Sequence, residues 1–101
     1  MLSDLKAFEK TVTAQFIEAI PESIIALENA WHNRDIPDLR HQAHNMKTTV
    51  SVMGLNESLQ PFLDALENEN INSESFQKNI SPVKRICEIS LEEAKRFYNT
   101  L

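Results

Sequence analysis

The chain has a single glycine in 101 residues, where a globular protein of this size carries about seven. So small a supply of left-handed turn residues, with no alternating β-branched runs, argues against tight hairpins and predicts helix throughout. The lone cysteine, Cys87, excludes an intramolecular disulfide and any cysteine-based zinc site, and it fits a reducing compartment. No apolar run approaches the roughly 20 residues of a membrane span, and no signal-peptide pattern opens the chain. Basic residues are the minority, 10 Lys and Arg against 15 Asp and Glu, for a formal net charge of −5. That balance argues against nucleic acid or an anionic membrane as the main partner.

What is present suits a soluble, cytoplasmic protein: 42% hydrophobic and 25% charged residues, ordinary values for a globular chain. The length predicts one domain over residues 1–101, enough to bury roughly 60–70% of its unfolded surface without staples. There is no internal repeat, low-complexity tract or linker.

Apolar residues fall at steps of three and four along four segments. From about Ser3 to Asn33 they are Leu5, Phe8, Val12, Phe16, Ile17, Ile20, Ile24, Leu27 and Trp31. Pro21 predicts a kink or break near Ile20. In "HNRDIPDLR", Asp35 is a good N-cap and Pro37 fits the first turn of a second helix, Ile36 to Met53. Gly54 then terminates that helix in the left-handed position. Leu55, Leu59, Phe62, Leu63 and Leu66 mark a third helix, with Asn56 as its expected cap. A fourth carries Phe76, Ile80, Val83, Cys87, Leu91, Ala94, Tyr98 and Leu101, with a kink expected at Pro82. Short links between four amphipathic segments predict an all-α, antiparallel up-down-up-down four-helix bundle, with an N-terminal helical extension covering one end.

The second segment contains "AHNMKTTVSVMG". At about 100° per residue, Leu39, Ala43, Met46, Val50 and Met53 share one sector, which must face the core. His44 lies roughly 130° from its centre and is expected at the surface. Within roughly 60° of it on the same helix are Arg40, His41, Lys47 and Thr48, and Ser51 continues the stripe. None is a carboxylate. An ordinary imidazole is roughly three-quarters neutral at pH 7, and cations beside it favour the uncharged ring further. A neutral, accessible ring nitrogen is a nucleophile, and flanking cations would steady an anion delivered to it.

The stretch "LRHQAHNMKTTVSVMGLNESLQPFLDALEN" resembles the histidine-containing phosphotransfer (HPt) domains of multistep phosphorelays. Those domains place a variable and then an aliphatic residue after the histidine, followed by Lys and usually Gly, with a further Gly ten places on. His44, Met46, Lys47, Gly54 and Leu55 match in register. The approach "FIEAIPESIIALENAWHNRDIPDLRHQAH" and the trailing "LDALEN" are also similar, so the likeness covers about Phe16 to Asn68. It departs at Thr48, which stands where the family usually has Gly. That side chain is expected to crowd the ring while offering a hydroxyl donor, and so to slow or narrow transfer.

The resemblance implies a four-helix bundle in which His44 accepts a phosphoryl group from a receiver-domain aspartate and passes it to another receiver. It further implies that Lys47 neutralises the phosphoryl oxygens and that Gly54 is structural. Mg²⁺ belongs to the partner receiver, so no cofactor is expected on this chain. Such a protein is a phosphorylated carrier without kinase activity of its own, expected as a monomer, either alone or as a piece of a hybrid kinase. Val52 and Ile25 are expected to supply apolar surface beside the ring for a docking receiver.

Two other classes are open. A metal could use Asp38, His41 and His44, but di-metal bundles need a second Glu-x-x-His helix, which is missing. A helical adaptor could dock receivers or other helices without phosphoryl chemistry. The phosphotransfer reading requires that the ring face solvent and that no acidic partner or metal occupy it.

Overall fold

The computed structural model describes residues 2–52 and 56–100, with side chains over 7–51 and 57–100. Met53, Gly54, Leu55 and Leu101 lie outside the described residues, as do the side chains of Leu5, Val52 and Asn56; expectations placed on them stand there. Four helices follow in order: α1 (Leu2–His32), α2 (Ile36–Val52), α3 (Asn56–Asn68) and α4 (Ser73–Thr100). There is no strand among the described residues. None of their helices is long and apolar enough to cross a membrane.

Each helix packs on two neighbours: α1 on α2 and α4, and α3 on α2 and α4. Cross-helix partners show the direction. Between α1 and α4, Lys10 meets Tyr98, Glu28 meets Lys84 and Trp31 meets Phe76. Between α2 and α3, Arg40 reaches Glu69, His44 reaches Glu67 and Lys47 reaches Asp64. Numbers rise on one helix as they fall on the other, so both pairs are antiparallel; residues 33–35 alone join α1 to the α2 it packs on, so the chain reverses there too, giving the up-down-up-down bundle.

Local chemistry sets the boundaries. Asp35 accepts a hydrogen bond from the Asp38 amide at 3.1 Å through Oδ1, as an N-cap should. Before it, α1 ends in a Schellman closure. The Asp35 amide donates to Ala30 O and the Arg34 amide to Trp31 O, both at 2.9 Å. The left-handed position is held by Arg34 at φ 55° rather than by glycine. Its guanidinium lies 4.1 Å from the centre of the Trp31 ring, a contact that offsets the steric cost of that conformation. At α4, Asn72 Oδ1 accepts from the Ser75 amide while Ser75 Oγ accepts from the Asn72 amide, each at 2.8 Å. This reciprocal cap satisfies donors that would otherwise be orphaned.

One core runs between the helices. Ile20 and Leu27 of α1, Leu39, Ala43, Met46 and Val50 of α2, Leu59, Leu63 and Leu66 of α3, and Val83 and Cys87 of α4 are fully buried. The described apolar sector expected on α2 is therefore the core face. The Trp31 and Phe76 rings stack at 4.9 Å near one end of it.

α1 runs through Pro21 without a break, and α4 runs through Pro82. Two expectations need correction. The N-terminal part of α1 is not folded over an end. Its 31 residues reach about 46 Å at helical rise, against a longest molecular dimension of 49 Å, so the extension continues in line along α4. Phe8, expected in the buried stripe, is 68% exposed. It lies on this overhang, beyond the reach of the 17 residues of α2.

Candidate functional site

The site forms on the outer seam of α2 and α3. Ala43, Met46 and Val50 turn inward on α2, which turns His44 and Lys47, three residues apart, outward along one edge. On α3, Leu59, Leu63 and Leu66 turn inward, and Asp64 and Glu67 take the matching edge at the same spacing. Because the helices are antiparallel, Lys47 falls opposite Asp64 and His44 opposite Glu67.

The imidazole of His44 faces solvent, with 66% of its side-chain surface exposed. Its Nδ1 lies 2.7 Å from Glu67 Oε1. Among the described residues Nε2 has no partner. Lys47 Nζ pairs with Asp64 Oδ1 and lies 2.5 Å from Glu67 Oε2. That second carboxylate oxygen is shut off from solvent and held by charge rather than by an aligned hydrogen bond. The carboxylates of Asp64 and Glu67 hold the Lys47 ammonium above its usual range. In return Lys47, and then His44, push Glu67 below the usual carboxylate range against the opposing effect of desolvation.

The expectation of a ring flanked only by cations and hydroxyls is thus overturned. It was right for α2 and wrong for the seam, because a wheel drawn for one helix omits what the neighbouring helix brings in. The missing residues are Glu67 and Asp64. Their signal was legible: two carboxylates three apart, just beside the apolar stripe of the next helix, match the spacing of His44 and Lys47.

The requirement that no acidic partner touch the ring also fails as stated. Its physical basis needs refining, because an imidazole has two nitrogens. A carboxylate on Nδ1 fixes the proton there and orients the ring, leaving the lone pair on Nε2. The arrangement is that of an anchored base or nucleophile.

The other residues singled out on α2 have varied surroundings. Arg40 donates from Nη1 to Glu67 O at 3.3 Å and from Nη2 to Glu69 O at 3.4 Å, closing the C-terminal carbonyls of α3. Glu67 therefore receives Arg40 on its carbonyl and both His44 and Lys47 on its carboxylate. His41 is exposed, its Nε2 3.2 Å from Asn45 Nδ2. Thr48 is exposed. Ser51 Oγ donates to Lys47 O at 2.9 Å, back onto its own helix.

Asp38, considered with His41 and His44 as a metal site, accepts from Gln42 Nε2 at 3.2 Å. Among the described residues no three His, Cys, Asp or Glu side chains gather as a metal-binding group. Beside the site a groove of about 240 Å³ is lined by Lys47, Val50, Ser51, Gln60 and Leu63. Ile25 is 57% exposed, but it lines the separate α1/α4 groove with Pro21, Ile24, Lys84, Glu88 and Leu91. It cannot flank His44 as expected, since it sits on the α4 side of α1.

Set against known proteins, the chain matches no family model, no curated protein sequence and no solved structure.

Proposed function

We propose that this protein is an HPt-type phosphorelay intermediate, with His44 as the phosphoacceptor. The observation that carries the reading is a solvent-facing imidazole tethered through Nδ1 alone, with an ammonium one helical turn away. The Nε2 lone pair attacks the phosphorus of a receiver's aspartyl phosphate. As the N–P bond forms, the P–O bond to the aspartyl carboxylate breaks and its electron pair leaves with that carboxylate. No proton need move. The ring keeps its Nδ1 proton and becomes cationic, and Glu67 is placed to stabilise that charge. Lys47 is close enough in register to serve the incoming oxygens once it is released from its carboxylates.

The partners of such a protein are receiver domains, which bring their own Mg²⁺. It would work in the cytoplasm as a monomer, with a small, transient interface that includes the rim of the groove at Lys47, Ser51 and Gln60. Thr48 would narrow access to the ring, and Thr48→Gly would speed transfer.

One observation favours the alternative of a non-phosphorylated helical adaptor: Lys47 is held by two carboxylates rather than free for an anion. The experiment that separates them offers a receiver, phosphorylated on its aspartate, to wild type and to His44→Gln. Acid-labile, base-stable label on wild type alone is expected. Equal label on both variants moves the site elsewhere, with His41 first in line. Wild type that takes no label from any receiver offered leaves the adaptor.

A further inference from the structure

The two carboxylates on α3 do different things to the site. Glu67 touches both the ring and the ammonium, whereas Asp64 touches the ammonium only. Asp64 is 40% exposed and Lys47 27% exposed, so the pair sits at the surface, where exchange of partners is inexpensive. Of the influences holding Lys47 in its charged form, the Asp64 contact is the largest. With neutral His44, the four side chains carry one positive and two negative charges. A phosphoryl group arriving at Nε2 therefore meets a cation already engaged.

We propose that Asp64 is a positioning residue that withdraws Lys47 from His44, so that an anion reaching the ring must displace this carboxylate to gain its counter-ion. This rests on the phosphotransfer reading. Asp64 acts as a competitor, keeping the acceptor state short of positive charge and biasing the phosphoryl group toward leaving the histidine. Breaking the one exposed pair with Asp64 leaves the ammonium held only by Glu67, the carboxylate that also contacts His44.

Potassium phosphoramidate tests this without an identified protein partner. Nε2 attacks its phosphorus, the P–N bond breaks and ammonia leaves. Wild type, Asp64→Asn, Asp64→Glu, Lys47→Gln and the double variant Asp64→Asn/Lys47→Gln are compared, with His44→Gln as control and helicity checked by circular dichroism. The Asp64→Asn change is expected to raise the initial labelling rate roughly two- to fivefold, the scale of one exposed ion pair. It should also shift the ³¹P titration of the phosphohistidine to lower pH, as a closer cation does. Asp64→Glu should restore wild-type behaviour. In the Lys47→Gln background, Asp64→Asn should change neither readout.

If Asp64→Asn leaves rate and titration as in wild type, the inference fails while the labelled His44 stands. If its effect persists without Lys47, the carboxylate acts on the phosphoryl group directly and the inference fails in the same way. If His44→Gln labels as wild type does, the phosphotransfer reading falls and this inference with it.

Discussion

Glu67 Oε1 stands 2.7 Å from His44 Nδ1, while the other oxygen of the same carboxylate faces Lys47 Nζ. One side chain on α3 thus binds two on α2, and it sets both the ring's orientation and which nitrogen faces away from the carboxylate. Glu67→Gln preserves size but removes the charge. Its expected effect is a fall in phosphotransfer of roughly tenfold, the scale of a hydrogen bond that loses its charged acceptor. Quantifying label transfer to that variant, with His44→Gln as the zero, checks it.

The same quartet shapes stability against pH. Glu67 titrates below its ordinary 4.5 in the folded chain, so its contribution is present above that value and lost as pH falls through the lower, folded one. Lys47 titrates above its ordinary 10.5, so its contribution is present below that value and lost as pH rises through the higher, folded one. Urea midpoints should therefore gain nothing and lose nothing from the titration of Glu67 and Lys47 themselves between roughly pH 6 and pH 9. Glu67→Gln should flatten the acid fall relative to wild type; an unchanged acid limb would show that the pair contributes little.

Asn72 holds the start of α4 through its paired exchange with Ser75. Asn72→Ala is expected to destabilise the fold by about 1 kcal/mol, the usual worth of such a cap. Equilibrium urea unfolding measures this directly.

Burial pushes the Cys87 thiol up to about 11, and the side chain is fully enclosed. In the native state it should react with iodoacetamide far more slowly than a free thiol, since the thiolate is the nucleophile. Alkylation at full speed in urea, and at a rate that tracks unfolding below the midpoint, is the expected pattern. Rapid labelling of native protein would contradict the packing around α4.

The fold was largely legible because each helix carries its own evidence. The 3.6-residue stripe, Asp35 before Pro37, and the scarcity of glycine all act within a few residues of where they are read. The corner at Arg34 was not legible, since an arginine in a left-handed position is licensed by a tryptophan ring three residues back. Pro21 and Pro82 each cost a backbone bond, yet the packing of α1 against α4 keeps both helices continuous. At the site, everything contributed by α2 was visible from α2. Its carboxylates were visible only from α3, as a pair at the matching spacing, because Glu67 and His44 are 23 positions apart and meet only through an antiparallel seam.

The long pair α1 and α4 overhangs the short pair α2 and α3, which gives the molecule a direction. At one end four helices share a common interior; at the other, two helices hold each other by contacts such as Lys10 over Tyr98. Disturbance entering at the two-helix end can separate the outermost turns of α1 and α4 without touching the layer that supports His44. Fraying that starts there starts far from the imidazole.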